Sequence, residues 1–245
     1  MSKFKLTFVG VGSAFSKIHN NNNVLIEIDS KKYLLDCGIK TPQALHNMGI
    51  ELKDIEGVIV SHIHADHTGG LEELGFMGKF VLNKKFKLFI SDDLVDPLWN
   101  NSLSGGMEDD TDGKRSLGDY FDISLFNDLD KFEVSGLSIL PIKTVHVNKD
   151  KPSYSFIFNN KVFFSADILF EEELLLTLDS METIFHDVQF FKGGVHCSLD
   201  ELETLPENIR EKIKLMHYSD NFKDFKDRAE KSKMTFVNQG EIFNF

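Results

Sequence analysis

One stretch limits what this chain can become: Ser61-His62-Ile63-His64-Ala65-Asp66-His67-Thr68-Gly69-Gly70. The run before it, Ile55-Glu56-Gly57-Val58-Ile59-Val60, has strand length and is rich in β-branched residues. A buried strand is therefore expected to end where the polar cluster begins. His62 and His64 are two positions apart, so on extended chain they point to the same side. Asp66 and His67 follow where the chain must turn. Gly69 and Gly70 allow a tight passage into Leu71-Glu72-Glu73-Leu74, which reads as a helix start. Three imidazoles and a carboxylate in so short a span suit a divalent cation such as zinc, manganese or iron.

This His-x-His-x-Asp-His at a strand end resembles the signature of the metallo-β-lactamase superfamily. The resemblance implies an α/β fold, the αββα metallo-β-lactamase sandwich. At 245 residues, without a Gly/Ser or Pro linker or a repeat, the chain reads as a single domain, 1–245. The 41% apolar content and 23 Phe are ample for a core. A formal net charge of −12 disfavours a grip on long polyanions, since phosphate contacts need Lys and Arg. Two cysteines, Cys37 and Cys197, make no disulfide framework and suit a reducing compartment. Met1-Ser2-Lys3-Phe4-Lys5-Leu6 lacks a signal peptide's apolar stretch, and no run approaches transmembrane length. The expectation is a cytoplasmic protein with no membrane partner.

Lys5 to Val9 reads as a strand, Gly10 to Ser13 as a turn, and Ser13 to Asn23 as a polar loop. Val24 to Ile28 and Lys32 to Leu35 read as a hairpin closed by Asp36. By the same resemblance Asp36 supports a metal ligand from behind. Thr41 is the expected cap of a helix with Pro42 at its first position and Gly49 as its stop; His46 lies within it as an ordinary helix residue. After Lys87 to Ile90 the pattern is lost from Ser91 to Phe126. This irregular segment, about 91–126, holds Trp99, Leu103, Gly105 and Gly106 and the acidic run Glu108 to Asp112. Its apolar residues argue for a substrate lid or a dimer contact. Further expected elements are an edge or bulged strand Leu137 to Lys143 containing Pro141, a hairpin Ser153–Phe158/Lys161–Ser165, a helix Glu171 to Leu178 and a short strand Thr183 to Phe185. A capping box at Ser198 and Glu201, a strand Lys214 to Met216, a helix Phe222 to Lys231 and a last strand Met234 to Val237 complete the chain.

His146, Asp167 and His217 each stand at an expected strand end, in the order the superfamily uses after its first motif. The resemblance implies two cations, zinc first, with manganese or iron as options. His62, His64 and His146 hold one; Asp66, His67 and His217 hold the other; Asp167 bridges them. A carboxylate bridge keeps two cations close enough to share one hydroxide. His186-Asp187 and His196-Cys197-Ser198 resemble the His-Glu and His-x-Ser/Thr motifs of the tRNase Z group. In that group the histidine protonates the leaving oxygen of a phosphodiester and the acid orients it. His196, Asp187 and Asp66 are thus the candidate catalytic residues. Aspartate stands here for the group's glutamate, one methylene shorter. The chain also lacks any stretch resembling that group's long tRNA-gripping arm. It most resembles the small anti-Pycsar phosphodiesterases of phages and bacteria. The expected activity is hydrolysis of cyclic mononucleotides, with a homodimer as the assembly. The alternatives are a tRNase Z-like nuclease and a non-catalytic nucleotide-sequestering protein.

Overall fold

A computed structural model describes residues 3–111 and 113–245; Met1, Ser2 and Asp112, which ends the acidic run, lie outside the described residues. Two seven-stranded sheets dominate. The first runs Ile242–Asn244, Phe4–Phe8, Val24–Ile28, Lys31–Leu35, Ile55–Ile59, Phe86–Ser91, Phe121–Phe126 in spatial order. The second runs Phe132–Val134, Leu137–Val145, Pro152–Phe158, Val162–Phe164, Thr183–Asp187, Ile213–Met216, Thr235–Phe236. Read in these directions, each sheet has three antiparallel pairings followed by three parallel ones. Parallel neighbours require crossovers, and helices supply them. Thr41–Asn47 lies between two parallel strands of the first sheet, and Glu172–Leu176 between two of the second.

The phenylalanines fill the space between the sheets. Phe8 meets Phe185 at a centroid distance of 5.0 Å, Phe4 meets Phe158 at 6.0 Å, and Phe126 stands edge-on to Tyr154 at 5.3 Å. The fold is the mixed α/β, two-sheet sandwich that the superfamily resemblance implied. Its parallel strands all end at one rim, the usual place for a ligand site in parallel sheets.

Several local expectations need correction. Lys40, not Thr41, caps the first helix, and the Thr41 hydroxyl donates instead to Asn23. The strand expected last, Met234 to Val237, is observed as Thr235–Phe236, and a further strand, Ile242–Asn244, follows it. Phe222–Phe225 is a 3₁₀ turn before the α-helix Lys226–Lys231. At Pro141 the strand has no ladder partner on one side, because Phe132–Val134 covers only Leu137–Ile139.

The largest correction concerns about 91–126, which is not irregular. It is a helical crossover, Asp92–Leu98 continued by wide π turns at Trp99–Leu103 and by Ser104–Met107, then a small hairpin, a helix Leu117–Tyr120 and the strand Phe121–Phe126. Pro97 sits inside the first helix, and the π turns break the 3.6-residue period, so no regular pattern survives in the sequence. Leu103 and Met107 are buried, and Trp99 packs near Tyr120 at 6.4 Å. The apolar residues expected to serve a lid are thus engaged within their own chain.

Candidate metal centre

Most of the functional side chains leave the end of a strand or the turn after it. His62 follows Ile55–Ile59, His146 follows Leu137–Val145, Asp167 follows Val162–Phe164, and His217 follows Ile213–Met216, while Asp187 is the last residue of its strand. Two of these ends, and the end of Lys31–Leu35, turn through left-handed backbone at non-glycine residues: Ala166 (φ 52°), His217 (φ 54°) and Asp36 (φ 63°). Such conformations cost about 1–3 kcal/mol each and persist where surrounding structure imposes them. After His64 the chain turns into the short helix Ala65–Thr68. Gly70 is required there for space: a Cβ would lie 2.5 Å from the Gly38 carbonyl oxygen.

The structure brings together every residue assigned to the centre. His62, His64, His146 and Asp167 form one group of donor atoms; Asp66, His67, Asp167 and His217 form a second; Asp167 belongs to both. In the first, His64 Nδ1 lies 3.2 Å from His62 Nε2 and 3.3 Å from His146 Nε2. In the second, Asp66 Oδ2 lies 3.3 Å from His67 Nε2 and 3.2 Å from His217 Nε2. Asp167 Oδ2 lies 3.2 Å from His67 Nε2 and 3.3 Å from His217 Nε2. Donors around a tetrahedral cation with bonds of about 2.0–2.1 Å stand about 3.3–3.4 Å apart, so the spacing suits such an ion. Among the described residues, His67 Nε2 and Asp167 Oδ1 are buried without a hydrogen-bond partner, as ligand atoms for a cation would be.

The electrostatics agree. Burial works against charge on His67, yet the carboxylates of Asp167, Asp66 and Asp36 hold its pKa well above the ordinary imidazole range. Burial also opposes ionisation of Asp167, but His217 and His67 hold its carboxyl well below the usual value. A proton thus supplies positive charge to buried carboxylates where a cation would supply it better. Burial lowers His62 well below its ordinary value and His146 to about 4, so both present unprotonated nitrogens.

A second layer fixes the rings. Asp36 Oδ2 accepts from His67 Nδ1 at 2.7 Å and from the Ser61 hydroxyl at 2.6 Å, and Asp36 Oδ1 accepts from the Ser61 amide at 2.8 Å. The Ser61 hydroxyl also lies 3.0 Å from His62 Nδ1, and the Val195 carbonyl accepts from His146 Nδ1 at 2.7 Å. Fully buried Asn23 donates to the Asp66 carbonyl at 3.1 Å and accepts from the Gly38 amide. Ser61, Val195 and Asn23 had no assigned role from sequence. Asn23 lay in an asparagine run read as loop, and its one signal was its place directly before an apolar strand.

His196 and Asp187 stand beside the metal donors. His196 Nδ1 donates to Asp187 Oδ2 at 2.8 Å and lies 3.9 Å from Asp167 Oδ2. Burial opposes its protonation, but the Asp167 charge and the bond to Asp187 push its pKa up to about 9. Asp187 also accepts from the Ser165 hydroxyl and the Ile168 amide, so the shorter aspartate is held in place. His196 and His217 line a cavity of about 560 Å³, and among the described residues none from 92–111 or 113–126 lines it.

A two-sheet sandwich with buried His/Asp donors at the rim of its strands defines a class, the proteins of the metallo-β-lactamase fold. Solved structures share the fold: the Bacillus subtilis protein YhfI (TM-score 0.80, 14% identity, covering 99% of this chain and 100% of that one) and a diphosphatase of the PhnP family (0.78, 15%, 99% and 98%). Within that class the chain belongs to the family described as anti-Pycsar protein Apyc1, whose pattern matches residues 4–243. Proteins of that name from Paenibacillus harenae and Saccharibacillus brassicae are each 45% identical, covering 91% and 97% of this chain and 93% and 98% of their own. One from Bacillus phage vB_BveM-Goe7 is 40% identical over 96% of each chain. Among the described residues no helix is long and apolar enough to cross a membrane.

Proposed function

We propose that this chain is a dinuclear metal-dependent phosphodiesterase that opens cyclic mononucleotides to linear nucleotides, and so counters the cyclic-nucleotide immune signalling that the relatives' name points to. The observation that carries the reading is the His196–Asp187 pair: these two form a third cluster with Asp167, but His196 Nδ1 is engaged by the Asp187 carboxylate at 2.8 Å, beside the two histidine-rich donor groups. A site that only holds or polarises a substrate needs no such pair. One that expels an alkoxide leaving group needs a proton donor there. Two divalent cations, zinc by the nitrogen-rich donor set with manganese or iron also suited, would supply Lewis acidity and an activated water.

The chain's own residues do the rest. His62, His64 and His146 would hold one cation and Asp66, His67 and His217 the other, with the Asp167 carboxylate available to both. Asp36, Ser61 and the Val195 carbonyl keep the imidazoles aimed. Asp187 binds His196 Nδ1–H, which leaves Nε2–H to protonate the departing ribose oxygen. The net charge of −12 disfavours tRNA and favours a small phosphodiester. The enzyme works in the cytoplasm, the host's when phage-encoded, as a homodimer. Exposed Phe80 and Val81, with exposed Ile39 lining a groove shared with Met77 and Leu82, support a second copy.

Incubation of the zinc-loaded protein with 3′,5′-cyclic nucleotides and with precursor tRNA tests this. Conversion of the cyclic compounds to linear monophosphates, with tRNA untouched, is expected. Cleavage of tRNA alone would return the enzyme to the RNA-processing class.

A further inference from the structure

The cavity beside His196 has a built mouth. Two aromatic side chains stand at it on separate loops, Phe15 at 87% exposure and Phe191 at 65%. A lone exposed phenylalanine is unremarkable on any protein. Two that line the same apolar pocket, next to a centre of this kind, are different. Ala14, Val188 and Val195 continue the apolar lining inward to His196 and His217.

Both loops are latched, so neither ring sits on slack chain. The Asp220 carboxylate accepts from the Ser16 hydroxyl at 2.5 Å, the Lys17 amide at 2.8 Å and the Ile18 amide at 3.3 Å. Lys40 Nζ donates to the Ser16 and His19 carbonyls. On the other side the Gln189 side-chain amide donates to the Phe191 and Gly193 carbonyls. Gly193 and Gly194 have φ of 77° and 97°, and a Cβ on Gly194 would lie 2.9 Å from the Gln189 amide oxygen and 3.3 Å from the Phe191 ring. Glycine there lets the loop fold tightly enough to set that ring. Pre-set aromatic faces lose little freedom when a flat ligand settles on them.

We propose that this pocket takes the nucleobase of the substrate, stacked against Phe15 and Phe191; the proposal rests on the cyclic-nucleotide reading above. The centre attracts the phosphate, and the pocket opens beside it at the histidine assigned to the leaving oxygen. The one carboxylate among its described lining residues, Asp220, is occupied by the Phe15 turn. A neutral, flat ring is what such a slot accepts. Its volume of about 560 Å³ lies in the range of small-molecule sites.

Adenosine, which carries a base but no phosphate, is the probe, followed by ligand-observed NMR with the metal-loaded full chain. Phe15→Ala and Phe191→Ala should each raise its Kd by roughly tenfold, the scale of one base–aromatic stack. Phe15→Trp and Phe191→Trp should retain binding. For cyclic nucleotides the alanine variants should raise KM and leave kcat within about twofold, since uniform binding is what they lose. Both side chains are largely exposed, so the variants should melt with the parent. Unchanged adenosine affinity in the double alanine variant overturns the proposal. So does a shift from dimer to monomer in light scattering with adenosine binding intact, which would assign the rings to a second copy. Phe-dependent adenosine binding without any cyclic-nucleotide turnover would keep the pocket and remove the phosphodiesterase reading; the reverse pattern would do the opposite.

Discussion

The half of the centre built from Asp66, His67 and His217 is fully buried, whereas the half built from His62, His64 and His146 keeps His64 only half-buried. The buried half brings a carboxylate of its own besides the shared Asp167, and the carboxylate of Asp36 stands behind His67. The other half has imidazoles alone besides Asp167, steadied by the Ser61 hydroxyl and a backbone carbonyl. One half is thus organised by charge and the other by neutral hydrogen bonds. A cation should be held more tightly, and with more sensitivity to pH, where the negative charge is concentrated.

The harshest test of this contrast removes what the halves share. Asp167→Ala should lose both cations, from about two equivalents per chain to near none by elemental analysis, and abolish turnover. Asp66→Asn should empty only the buried half and leave about one equivalent. If both variants retain the same metal content, the halves are not separate sites. Next in size is His196→Ala, which belongs to neither half. It should keep the metals while kcat falls about a hundred- to ten-thousandfold, and the loss should shrink for a nitrophenyl leaving group that hardly needs a proton. An equal loss on both substrates counts against the acid role.

Asp36→Asn should be milder: about ten- to a hundredfold in affinity for the cation at His67, with the other cation unaffected. Equal weakening of both would show that Asp36 acts on the whole rim. The smallest effect separates the halves by protons. His67 has a raised pKa in the metal-free protein, so a cation must displace a proton to bind there, and that affinity should rise with pH. His62 and His146 are lowered and already unprotonated, so the other affinity should stay flat across neutral pH. Calorimetry in buffers of different ionisation enthalpy should count about one proton released at the buried half and none at the other. Release of equal numbers would erase the distinction.

The sequence by itself determined what is local. A β-branched run had to end near His62, two histidines two apart had to share a side, and the 3.2 Å between His62 Nε2 and His64 Nδ1 accords with that alternation. The capping box at Ser198 and Glu201 was equally legible, because both of its bonds lie within four residues. Only the tertiary structure decided the rest. Asp66 meets His217 across 151 positions of chain, a contact that no local period encodes and that only a family resemblance anticipated. The segment 92–126 escaped reading because Pro97 and the π turns break the helical period, while its burial depends on Tyr120 and on the sheet it joins. Phe15 and Phe191 stood in loop stretches with no periodic pattern around them. They became a pair only when two loops 176 positions apart in number, 191 less 15, were closed over the same cavity. Backbone geometry propagates over a few residues, whereas a pocket is a property of surfaces brought together by the packing of two sheets.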